Sequence, residues 1–307
     1  MYEDVLRYVY NIDTYKVQQI QGGWSACAYK VQGNDKKEYF LKVYDKIRPS
    51  TQNMYTSLHI SSRVLRWLNS YSSLTNDIVE LINTLDNQCI YEDEKNIYIL
   101  YKYIHGKTPR DEKISNTHFN ILSNIIAKLH TYGSEIPFDL TVITEDFNIP
   151  FYDNLLNFVT KEYSSCSKDL KEVLSEHLNT IIHQLQRLMA IQKNIVKENI
   201  DYRLCHTDIH KGNIIIDDSV HLLDFDNLLL APVEADLFAF YQQPRWERLL
   251  SLYKKTHPHY KVNEQLMKFY NLRRVLIDIW EEIELLESDA HNVDRITSLN
   301  NLRQQFI

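Results

Sequence analysis

The stretch LCHTDIHKGNIII, Leu204 to Ile216, sets His206, Asp208, His210 and Asn213 within eight residues of one another. Two kinds of chemistry want such a set. On an extended strand, His206, Asp208 and His210 would point to one side, as the ligands of a divalent metal do in several hydrolases. Alternatively, Asp208 and Asn213 have the spacing of a phosphotransfer loop, in which an aspartate accepts the proton of the attacking hydroxyl and an asparagine holds magnesium. The first reading leaves Asn213 idle. The second also gives the downstream residues a purpose: IIIDDSVHLLDFDN reads as strand, turn and strand, and it delivers Asp224 beside the loop, where a second metal carboxylate belongs. Two oxygen ligands together with phosphate oxygens suit Mg2+, which keeps waters and binds few protein groups.

Elsewhere, a lysine stands inside the apolar strand YFLKVY. Between Leu41 and Val43, Lys42 is costly unless it meets an anion or reaches water from a sheet edge. The elements that must position these residues follow from periodicity. The first hundred residues predict an antiparallel meander: KVQQIQGGWSACAYKVQ as two strands about the Gly22-Gly23 turn, KEYFLKVY as a third, and two more around a charged turn from Glu92 to Lys95. One helix interrupts the meander, with Leu58, Ser61, Ser62, Leu65 and Leu68 at helical spacing. After HGKTPR the pattern turns helical. A Ser115/Asn116 cap precedes a face of Phe119, Leu122, Ile126 and Leu129, NLLNFVTKEY and the run from Lys168 to about Glu198 read as helices, and helices resume near Leu237. The fold class predicted is α+β and bilobal: an N-terminal β-lobe with one helix over residues 1–103, and a larger, mainly α lobe over 104–307.

Composition narrows the partners. A chain of 307 residues with 44% hydrophobic content has length for two domains and a normal core. A net charge of −7 argues against a nucleic-acid partner, which calls for a basic stripe. No apolar run is long enough to span a membrane, and the N-terminal segment carries acids, so neither a membrane span nor a secretory signal is expected and the cytoplasm is the expected location. Cys27, Cys89, Cys166 and Cys205 are scattered without a C-x-x-C pair, which suits a reducing compartment.

The sequence HTDIHKGNIII…LLDFD followed by PVEADL resembles the aminoglycoside phosphotransferase and choline kinase-like family of kinase-like small-molecule phosphotransferases. Weaker matches extend through the glycine turn, FLKVY, YILYKYIHGK and IIAKLH, and DFDNLLLAPVEADL is most similar to the spectinomycin-type branch. The resemblance implies a kinase-like fold that moves the γ-phosphoryl group of ATP or GTP to a small-molecule hydroxyl with Mg2+. It implies Asp208 as base, Asn213 and Asp224 as magnesium ligands and Lys42 as the α/β-phosphate contact. Gly22 and Gly23 would lie under the phosphates, and Tyr101, Lys102 and Tyr103 would lie against adenine. His206 would pack beneath the loop, His210 would touch phosphate or acceptor, and Asp236 would tether the loop backbone or else cap a helix.

One feature departs from the family. The N-lobe helix normally supplies a glutamate to the strand lysine, and here Ser61 occupies that place, so Glu80, another carboxylate, or Asp224 and nucleotide alone must serve. The acceptor implied is an aminoglycoside or aminocyclitol, with a metabolic alcohol such as choline, homoserine or a sugar as the alternative, or a non-catalytic binding role. Carboxylates and aromatic rings at Glu234, Tyr241, Trp246 and Glu247 predict a cationic acceptor.

Overall fold

A computed structural model describes residues 2–20, 26–109, 114–196, 200–288 and 294–306. The chain forms two compact units, one of Met1–Thr144, Tyr202–Asp236 and Gln242–Tyr260, the other of Glu145–Asp201, Leu237–Tyr241 and Lys261–Ile307. Each unit is assembled from several chain segments, and the six-stranded sheet of the first ends at Lys102.

The first unit opens with helix α1, Tyr2–Tyr10, which the strand-based reading omits; the sheet segment therefore carries two helices and not one. Acids at Glu3 and Asp4 and Arg7 near the other end complement the helix dipole, while Leu6 and Tyr10 face inward. Strands β1 (Thr14–Ile20), β2 (Cys27–Gly33), β3 (Glu38–Asp45), β4 (Leu81–Ile82), β5 (Tyr91–Glu92) and β6 (Asn96–Lys102) build an antiparallel sheet in the order β1-β2-β3-β6-β4, with β5 also on β6. Leu6, Tyr10 and Ile12 pack with Val31, Tyr39, Leu41, Val43, Tyr98 and Leu100.

Alternation along β3 then settles where the lysine goes. Because Tyr39, Leu41 and Val43 face α1, Phe40, Lys42 and Tyr44 face the other way, and a slip of one residue would exchange the two sets. Helix α2 (Pro49–Tyr71) starts on a proline and buries Leu58, Ser61, Ser62, Leu65 and Leu68. Helix α3 (Asn116–Leu129) begins at Ser115, whose hydroxyl accepts from His118 N, and it buries Phe119, Leu122, Ile126 and Leu129. Short strands β7 (Arg203–Cys205), β8 (Ile214–Ile216), β9 (Val220–Leu222) and β10 (Leu229–Ala231) come next, β8 pairing with β9 and β10 with β7. Helices α7 (Glu234–Leu237) and α8 (Trp246–Thr256) succeed them.

The second unit is helical: α4 (Tyr152–Asn157), α5 (Lys168–Leu174), α6 (Leu178–Ile195), α9 (Glu264–Glu287) and α10 (Arg295–Gln304). The single helix expected from NLLNFVTKEY loosens after Asn157 into a π turn. Val159 and Thr160 are β-branched, and the Thr160 hydroxyl bonds back to Leu156 O at 2.6 Å, drawing that carbonyl from the regular ladder. The run expected from Lys168 to Glu198 is likewise two helices, parted between Leu174 and Leu178, and Glu198 lies outside the described residues. Within this unit Glu145 is buried and receives both arms of Arg273, at 2.9 and 2.7 Å, together with the Tyr270 hydroxyl at 3.2 Å.

Candidate active site

Strand β7 stops at Cys205, and Thr207 takes a left-handed conformation with φ 66°. That turn breaks the alternation on which a three-ligand strand depends. His206 points into the core, donating from Nε2 to Leu223 O at 2.7 Å and accepting at Nδ1 from Asp208 N at 3.3 Å. Among the described residues, His206, Asp208 and His210 form no cation-holding cluster, so the hydrolase arrangement is set aside.

Asp236 holds this turn from below. Its carboxylate accepts from His206 N at 2.9 Å and Thr207 N at 2.5 Å, and it pairs with His130 Nε2 at 2.9 Å. It therefore tethers the loop backbone, and it lies inside α7, not at a helix N-cap. His130, which the sequence does not single out, passes the network on from Nδ1 to the Tyr253 hydroxyl at 2.9 Å. With Cys205 these residues have metal-binding types, yet the ring nitrogens, both carboxylate oxygens and the thiol all contact protein groups, Cys205 Sγ lying 3.6 and 3.5 Å from Ala231 O and Pro232 O. The cluster braces the loop.

Above the turn, Asn213 donates through Nδ2 to Asp208 O at 3.0 Å and to Asp208 Oδ2 at 2.9 Å. The amide is thereby oriented, with its oxygen turned from the aspartate. His210 is half-exposed; its Nδ1 accepts from Gly212 N at 2.9 Å, which puts the ring proton on Nε2, 3.4 Å from Asp208 Oδ2. The β8–β9 hairpin pairs Ile214 with Leu222, and Leu223 N donates to Asn213 O at 2.9 Å, which places Asp224 at the strand end next to Asn213. Asp224 itself is left-handed, with φ 62°.

Opposite stands Lys42, 9% exposed, with its ammonium 2.7 Å from Asp224 Oδ1 and 2.9 Å from Asp226 Oδ2. The second acid of LLDFDN is the partner missing from the sequence reading. Glu80, the other candidate, pairs with Lys102 at 3.2 Å. Burial works to lower the Lys42 pKa, but the two carboxylates outweigh it and hold the lysine charged. Burial and the Asp224 charge push Asp226 up to about 6. Burial also works to raise Asp224, and the charge and hydrogen bond of Lys42 hold it below the ordinary carboxylate range.

The remaining expected residues are placed unevenly. Gly22 and Gly23 lie outside the described residues. Tyr101 is buried, and burial together with the Asp226 charge holds its phenol well above the usual range, so its side chain faces the acid pair. Lys102 N donates to Glu80 O at 2.9 Å and Tyr103 N to Glu38 O at 3.1 Å, so the backbone donors expected for adenine are already engaged inside the sheet. Lys30 lies 4.1 Å over the Tyr103 ring. Of the acceptor set, Glu234 is buried and receives the Tyr260 hydroxyl at 2.9 Å, Trp246 is buried on α8, and Glu247 is exposed in the first turn of that helix. Glu234 and Trp246 thus both lie buried, while Glu247 faces solvent. Tyr241, half-buried, belongs to the second unit.

A lysine-bearing antiparallel sheet facing a loop of this composition, with a mainly helical remainder, defines a kinase-like, nucleotide-using phosphotransferase. Residues 16–257 match the model of the phosphotransferase enzyme family, and the chain belongs to that family. No curated protein matches the sequence. Among solved structures it is similar to a spectinomycin phosphotransferase in complex with ADP and spectinomycin, at 20% identity and TM-score 0.75, covering 100% of this chain and 94% of that one. It is also similar to an ADP-bound aminoglycoside phosphotransferase, at 16% identity and TM-score 0.57 over 99% and 96% of the two chains. A third similar structure is a microcompartment-associated aminopropanol kinase, at 12% identity and TM-score 0.61 over 99% and 94%. The expected α+β kinase-like fold class is thus the observed one.

Proposed function

We propose that the protein transfers the γ-phosphoryl group of ATP or GTP to a hydroxyl of an aminoglycoside or aminocyclitol. The observation that carries this reading is the convergence of Lys42 from β3, Asp224 from the β8–β9 hairpin and the Asp208–Asn213 pair from the loop, all within one compact unit. In functional terms, residues 1–103 grip the nucleotide and residues 104–307 supply the chemistry and the acceptor site.

Each residue has a task. Asp208, oriented by Asn213, accepts the proton of the attacking hydroxyl, and His210 Nε2–H donates toward the same carboxylate, where an acceptor or a phosphoryl oxygen would sit. Lys42 supplies a fixed positive charge for the α/β-phosphates. Asn213 Oδ1 and the Asp224 carboxylate offer the hard oxygen donors that Mg2+ prefers, and the orientation of the Asn213 amide leaves its oxygen available. A magnesium ion held there would neutralise charge on the phosphates. The protein's own contribution is positioning and preorganised charge.

Two observations bear on the alternatives. A missing helix carboxylate would favour a non-catalytic role, and Asp226 fills that place. The burial of Glu234 and Trp246 leaves fewer exposed side chains to cover a large acceptor and so favours a second reading, a smaller metabolic alcohol such as choline, homoserine or a sugar. A coupled nucleotide-turnover screen over aminoglycosides, spectinomycin, choline, homoserine and sugars tests the proposal. Turnover with an antibiotic supports it, turnover with a metabolic alcohol alone transfers the reading to the second class, and no turnover with any of them overturns both.

A further inference from the structure

A buried lysine needs a fixed counter-charge, and α2 offers none: PSTQNMYTSLHISSRVLRWLNSY contains no acid over its whole length. Ser61, in the place where the family carries its glutamate, is 1% exposed. Lys42 instead meets two carboxylates from one short segment, and they differ in how they are held. Asp224 has a side chain 30% exposed and stands where the metal and phosphates would arrive. Asp226 has a side chain 5% exposed and is fixed on several sides. Its Oδ2 takes the Lys42 ammonium at 2.9 Å and the Tyr44 hydroxyl at 2.6 Å. Its main-chain oxygen takes the Ser61 hydroxyl at 3.5 Å. Lys42 and Tyr44 lie two residues apart on β3, so strand alternation aims both at the same carboxylate.

We infer that Asp226 is the positioning residue for Lys42, doing from the segment after β9 what a helix-borne glutamate does elsewhere in the family, with Ser61 reduced to a docking contact. This inference rests on the phosphotransfer reading above. Were Asp224 engaged by a metal and nucleotide, Asp226 would keep the lysine in place. Alignment of the lysine then comes from the fold of the β9 segment itself and needs no particular setting of α2. The helix is relieved of the charge, and Ser61 suffices where it meets this segment.

The test separates positioning from general support of the fold. ADP and adenosine affinities are measured by calorimetry for the wild type, Asp226→Asn, and Asp226→Asn combined with Ser61→Glu, with thermal melting of each. Because Lys42 acts on phosphates, Asp226→Asn should weaken ADP by roughly tenfold or more, the scale of one charge-assisted hydrogen bond, and leave adenosine within twofold. Returning a carboxylate from the helix side in the double variant should restore much of the ADP affinity. The inference is overturned if ADP and adenosine fall together, if neither falls, or if the double variant recovers nothing while melting like the single one. Failure of the wild type to bind ADP at all would overturn the phosphotransfer reading along with it, whereas normal wild-type binding with an indifferent Asp226→Asn removes only this inference.

Discussion

Asn213 grips Asp208 twice, at 3.0 Å through the main-chain oxygen and at 2.9 Å through the carboxylate, so that the proposed base and the proposed metal ligand orient one another. Asp208→Asn removes the proton acceptor and keeps the shape. Turnover should fall by about 10² or more, the range of general-base effects, with nucleotide affinity nearly unchanged. Steady-state kinetics beside calorimetry checks this, and near-normal turnover would end the assignment.

Asp224 is the carboxylate proposed to take the metal. Nucleotide binding by the wild type should therefore strengthen on adding Mg2+, and Asp224→Ala should abolish the gain. Titrations of ADP with and without the ion decide it. A variant that responds to Mg2+ as strongly as the wild type would exclude Asp224 as a ligand.

Removing Asp236 leaves donors on buried His206 and His130 and on half-buried Thr207 without their acceptor. Unsatisfied buried groups cost roughly 1–3 kcal/mol each, so Asp236→Ala should lose about 3 kcal/mol or more in urea unfolding, and turnover should fall with the misaligned loop. A loss below about 1 kcal/mol would mean that the loop holds its turn by other contacts.

In the second unit, Glu145→Ala strips Arg273 of a bidentate partner in a largely buried setting. The expected cost is about 3 kcal/mol, the lower end for a broken buried pair, since the Arg273 side chain is 22% exposed. Glu145→Ala with Arg273→Ala should cost less than the two changes summed, and an additive double-mutant cycle would show that the pair is not coupled.

Glu247 is the acid of the expected acceptor set that lies exposed. If the acceptor is cationic, its affinity should weaken with rising salt, and Glu247→Gln should weaken it at low salt by about 0.2–1 kcal/mol, the worth of an exposed ion pair. Indifference to both would point to a neutral or anionic acceptor.

The features legible in the sequence are those that a short spacing or a period encodes. Asp208, Asn213 and Asp224 are legible because loop, hairpin and carboxylate are consecutive, and the β3 alternation gives Lys42 its anomaly. The Ser115 cap and the inner faces of α2 and α3 are legible for the same local reason. Asp226 is not, since its partner Lys42 is 184 residues away, and a second acid just after Asp224 looks like an ordinary turn residue. His130 is hidden because its partners Asp236 and Tyr253 come from elements far along the chain. The burial of Glu234 and Trp246 is not legible, because nothing local shows that the Glu234 carboxylate receives the half-buried Tyr260 hydroxyl or that Trp246 faces inward on its helix. The breaks at Asn157 and between Leu174 and Leu178 carry neither proline nor glycine, and the β-branched Val159 and Thr160 are the one weak local signal at the first of them.

The exposed stretch His105–Lys107 would attract a protein engineer looking for a place to insert a tag or cut the chain. It is a poor one. Gly106 sits at φ 147°, where an added Cβ would come within 2.6 Å of Ile216 O and 2.5 Å of Ile215 Cγ2, and Lys107 exchanges two hydrogen bonds with Ile216, each 2.9 Å. The segment leaving the sheet is thus sewn to the hairpin that bears Asn213. Reporter insertions, split-protein designs and circular permutations opened here should lose the β8–β9 hairpin with the seam, however accessible the surface looks.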